Sequence, residues 1–152
     1  MIDQERKQAL SGHNLVMTNL SIFHLLLPIL AFSTAYTKEI MALSLFASLI
    51  FAASIFKGRK STNCSEFVSA HWAMAWRRTR YLLISYIVSF SVMGLGWLLT
   101  STQTDPQMKK ILLTTFIPMA IVPTLITVIV VLVLQTMTMS RAKQGLIPNN
   151  KI

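Results

Sequence analysis

The side chains able to move protons or hold a metal are few: His13, His24, His71, Cys64 and five carboxylates. His24 lies inside a charge-free apolar run, where it is a candidate haem or metal ligand or a pH-responsive group. The commoner fate of such a residue is a neutral imidazole hydrogen-bonded to a neighbouring helix. Two haem ligands must lie at matched depth on facing helices, and His24 has no such partner. His13 and His71 are expected at the cytoplasmic face, as a peripheral pair. No HExxH or Cys/His spacing is present, so no catalytic residue, cofactor or metal is expected. Cys64 stands alone, which excludes an internal disulfide. It sits in a basic segment beside Glu66, and the expectation is an inert thiol.

The most individual stretch is Phe67 to Arg80, FVSAHWAMAWRRTR. Trp72 and Trp76 are four apart and so share a helix face. Val68 and Ala75 extend that face, and Thr79 ends it. Tryptophan beside arginine is the usual anchor at the headgroup level. Phe67, His71, Trp72, Trp76, Arg77, Arg78 and Arg80 are therefore expected to anchor at the interface or to dock a partner.

The elements that must position these residues are set by apolar runs. Four runs carry no Asp, Glu, Lys or Arg: about 15–36, 40–56, 81–100 and 111–135. About 20 residues of helix cross a hydrocarbon core, so each run reads as a span, the second near the lower limit. Val, Ile and Thr are frequent in the fourth run, but isolated strands in lipid leave their backbone unsatisfied. A signal peptide is a poor reading of the first run, because Asp3 and Glu5 precede it and it exceeds the usual apolar length. Thr37, Lys38 and Glu39 form the expected first connection, and 57–80 the one substantial loop. Ser65 is a candidate cap, opening an amphipathic interfacial helix that feeds the third span with a bend near Arg77–Arg80. The tail 140–152 reads as flexible. The expected fold is an all-α integral membrane protein, a four-transmembrane-helix bundle forming a single membrane domain over 1–152.

Charge gives the orientation. With the N-terminus inside, the inner segments hold eleven of the 14 Lys and Arg, and the outer segments hold only Lys38, Lys109 and Lys110. That bias places both termini in the cytoplasm. The chain is 53% hydrophobic and 12% charged, about half the charge of a soluble domain. The net charge of +9 therefore reads as topology and attraction to anionic headgroups, and nucleic acid is not an expected partner, since no nucleic-acid module is legible.

Ser44, Ser48 and Ala52 recur every four residues, as do Ser85 and Ser89, with Gly94 and Gly96 beyond. Such stripes suit close helix packing in lipid, within one chain or between copies. Pro28, Pro118 and Pro123 fall inside spans. With Thr124 and Thr127 nearby, the pair in the fourth span is a candidate hinge or polar lining, as is His24. Proton-coupled transport usually needs an ionisable residue at depth, and the runs hold none. The function expected is a small non-enzymatic inner-membrane protein that acts through helix and loop contacts with a larger membrane partner, or with itself. Accessory, assembly, regulatory and exclusion or immunity proteins share this build at the level of fold only. The alternative is an oligomeric small-molecule transporter or channel; a haem protein or membrane transferase ranks below both. The placement that fits is a bacterial inner membrane.

Overall fold

A computed structural model describes residues 3–60 and 65–147. Cys64 and the tail beyond Ile147 lie outside the described residues. Among the described residues all regular structure is helical: α1 (Asp3–Thr18), a π-helical stretch (Asn19–Leu26), α2 (Leu27–Phe32), α3 (Thr37–Arg59), α4 (Glu66–Ser101) and α5 (Pro106–Lys143). Four helical stretches are long and apolar enough to cross a membrane: Asp3–Phe32, Thr37–Arg59, Glu66–Ser101 and Pro106–Lys143. No more than 22% of the most apolar window in any of them is buried. That much outward apolar surface suits a lipid solvent and not water.

The first connection differs from the expected one. The helix ends at Phe32, and α3 already begins at Thr37. The Thr37 hydroxyl donates to the carbonyls of Ala31 and Thr34, so it closes the turn over the end of α2.

Pro28 explains the π-helical stretch. The Leu27 N–H reaches back to the Ile22 carbonyl, five residues away. In that register the Phe23 carbonyl should receive the N–H of residue 28, and proline has none. The Ser44 hydroxyl of α3 donates to the Phe23 carbonyl instead. In the same widened turn, His24 Nδ1 donates to the Asn19 carbonyl at 3.1 Å.

Two compact units divide the chain, Met1–Thr79 with Val131–Ile152, and Arg80–Val130. The second is an antiparallel helical hairpin closed by residues 102–105. Its helices meet where the Ser89 and Thr124 hydroxyls hydrogen-bond at 2.8 Å, and where Gly96 lies against Phe116. The first unit holds α1 through α3 with the start of α4 and the end of α5. Ser44, Ser48 and Ala52 are buried there. Helix α4 runs unbroken from the expected interfacial segment into the third apolar run. The carbonyl of Ser65 accepts the N–H of Ser69 at its start.

Helix α5 contains Pro118 and Pro123 without a break and continues to Lys143, further than a flexible tail from Ser140 allows. A glycine-based cap stops it. The Leu146 N–H bonds the Arg141 carbonyl, and the Gly145 N–H bonds that of Ala142. Gly145 has φ 75°, the left-handed conformation this cap requires.

Candidate functional site

Five polar side chains from three helices meet inside the first unit: His13 of α1, His71 and Arg78 of α4, and Gln135 and Thr138 of α5. Each is no more than 7% exposed. In sequence they flank the ends of the charge-free runs, just before 15 and 81 and at the close of 111–135. The inward face of α1 carries Ala9, Gly12, His13 and Val16, and Asn19 and Leu20 continue it into the π-helical stretch, the three–four spacing of one helix stripe.

The hydrogen bonds form a single chain whose direction can be deduced. The Leu146 carbonyl can only accept, so His71 Nε2, 3.1 Å away, carries a proton and donates. His71 Nδ1 is then the acceptor, and His13 Nε2 donates to it at 2.9 Å. His13 Nδ1 accepts in turn from Gln135 Nε2 at 2.7 Å, and the same amide donates to the His13 carbonyl at 3.0 Å. That orientation leaves Gln135 Oε1 to accept from Arg78 at 2.7 Å. Arg78 also donates to the Thr138 hydroxyl, which donates to the Leu134 carbonyl. Each of these bonds pairs one donor with one acceptor, and no acceptor remains for a second proton on either imidazole. Such a closed set specifies one packing of its helices, because a half-satisfied set is costly in a low dielectric.

Trp72 packs beside this set. Its indole lies between two glycines: a Cβ on Gly58 would fall 2.2 Å from the ring, and one on Gly12 3.0 Å. Phe67 meets the His71 ring edge-on at 4.6 Å, and Phe56 lies 4.9 Å from Trp76. Phe67, His71 and Arg78 are therefore buried among the helices of this unit. Trp72, Trp76 and Arg77 are half-buried, and Arg80 is exposed.

The remaining sequence candidates sit apart from the cluster. Ser85 is buried and donates to the Leu82 carbonyl. Gly94 has open space around it, whereas Gly96 provides the close approach. The helical period explains the exchange: seven residues beyond Ser89 return to its face, and five do not. Thr127 bonds the Pro123 carbonyl, and Thr124 bonds Ser89, so both hydroxyls of the candidate lining are engaged within the chain. Pro118 is exposed.

Gln135 and Thr138 were not among the sequence candidates. Gln135 reads as the polar end of an apolar run, and only the antiparallel pairing of α4 with α5 brings it to Arg78. His13 and His71 are 58 residues apart, and no local spacing announces their pairing.

No protein-family model, curated protein or solved structure matches this chain.

Proposed function

We propose that this chain is a non-enzymatic membrane protein that works through helix and loop contacts with a larger membrane partner. An accessory, assembly, regulatory or exclusion role fits it equally. The observation that carries this reading is the closed polar cluster. His13, His71 and Gln135 spend their polar atoms on one another, on Arg78 and on the backbone, which suits a structural clamp at the ends of the helices. Outside the clamp, the surface on offer is apolar along the helices and basic near their ends. Contact, not chemistry, is what such a surface supports.

The charge bias supports both termini facing the cytoplasm, and a bacterial inner membrane is the placement we propose. The transport reading rested on the fourth helix, and the engagement of Thr124 and Thr127 gives it no support.

Purification from the native host in mild detergent tests the proposal. One membrane protein should co-elute in stoichiometric amount, above a mock purification. A chain that runs alone at control background overturns it.

A further inference from the structure

Arg78 is the one cation that the buried cluster encloses, and no described residue neutralises it. The side chain is 7% exposed. Its two hydrogen bonds go to Gln135 and Thr138, which are neutral acceptors. They occupy two of the five N–H donors a guanidinium carries. The neighbouring charge that acts on it is a second cation, Arg77.

All five Asp and Glu side chains are described: Asp3, Glu5, Glu39, Glu66 and Asp105. None pairs with Arg78. Glu66, on the same helix, is twelve residues away, or about 18 Å of helix. A guanidinium withdrawn from water is stabilised when an anion accompanies it. The described residues supply acceptors that hold Arg78 in place but no countercharge.

We propose that Arg78, with Arg77 beside it, binds the phosphate of one anionic lipid headgroup per chain, on a seat fixed by Gln135 and Thr138. Arginine suits this ligand because its planar fork matches a phosphate in two-point contact. The position suits it as well. Arg78 lies three residues before the charge-free run that starts at Tyr81, at the depth where headgroups meet a span. Arg141, one turn beyond Thr138 on α5, is a further exposed cation at this end. The site is a single built seat, distinct from diffuse attraction between a basic surface and anionic lipid. The inference rests on the membrane reading and not on the existence of a protein partner.

Native mass spectrometry of the full chain in detergent tests it, with phosphatidylglycerol, phosphatidylcholine or inorganic phosphate added separately. The wild-type chain should retain one phosphatidylglycerol, in preference to phosphatidylcholine by on the order of tenfold. Arg78→Gln should lose that preference. Arg78→Lys keeps the charge without the fork and should retain only part of it. Thr138→Asp places a carboxylate beside Arg78 from within the chain, so it should abolish the preference while unfolding no earlier than wild type. A folded Thr138→Asp chain with wild-type preference overturns the proposal, as does a wild-type chain with no preference. Inorganic phosphate bound without lipid, and lost in the same variants, keeps the oxyanion site and overturns its assignment to a headgroup. Absence of any co-purifying protein counts against the contact function and leaves this result unchanged.

Discussion

At the scale of residues, the clamp depends on direction as much as on distance. One obligate acceptor, the Leu146 carbonyl, fixes the proton on His71, and that choice propagates through His13 and Gln135 to Arg78. Both imidazoles are therefore neutral and protonated on Nε2. Nitrogen-15 NMR of the labelled chain in detergent should show that tautomer for His13 and His71 together; a Nδ1–H form of either breaks the deduced order. Replacing Gln135 with leucine removes an acceptor from Arg78 and a donor from His13. Each orphaned group costs about 1–3 kcal/mol, so thermal unfolding in detergent should shift markedly downward. An unchanged midpoint would mean the side chains are not engaged as described. The sequence offered His71 and Arg78 for anchoring at the interface or docking a partner, because arginine and tryptophan usually anchor a helix at the headgroups. The buried partners that turn them inward lie 58 and 57 positions away, beyond the reach of any local pattern.

Elements carry their own logic, and much of it was legible. The four runs without charge correspond to the four long helices, since length and apolarity suffice to mark a span. The π-helical stretch was not legible in full. Pro28 announces a lost donor, but only the fold shows that Ser44 replaces it from the neighbouring helix. Ser44→Ala should cost about 1–3 kcal/mol by leaving the Phe23 carbonyl unpaired. Pro28→Ala restores a backbone N–H, so the double variant should lose less than the sum of the two singles; strict additivity in unfolding measurements would argue against the link. The glycines divide similarly. Gly58→Ala forces a methyl onto a Trp72 ring already confined by Gly12, at about 1–3 kcal/mol for overpacking. Gly94→Ala meets open space and should be neutral or gain up to about 1 kcal/mol from helix propensity. Equal effects of the two alanines on the unfolding midpoint would contradict the packing.

For the whole molecule, the division of labour is between a buried polar clamp and long apolar helices that show most of their surface outward. In the Arg80–Val130 unit, Ile87, Phe90 and Trp97 are each at least 60% exposed. Lipid alone satisfies such surface, and so does another apolar helix. If a larger membrane partner covers part of it, as proposed, photo-cross-linking in the native membrane reads this directly. A benzophenone amino acid placed at Phe90, at Trp97 or at Ile126 should yield, from at least one position, an adduct with a single membrane protein other than the chain itself, at high yield. Adducts with lipid alone, or only with a second copy of the chain, would contradict the contact function.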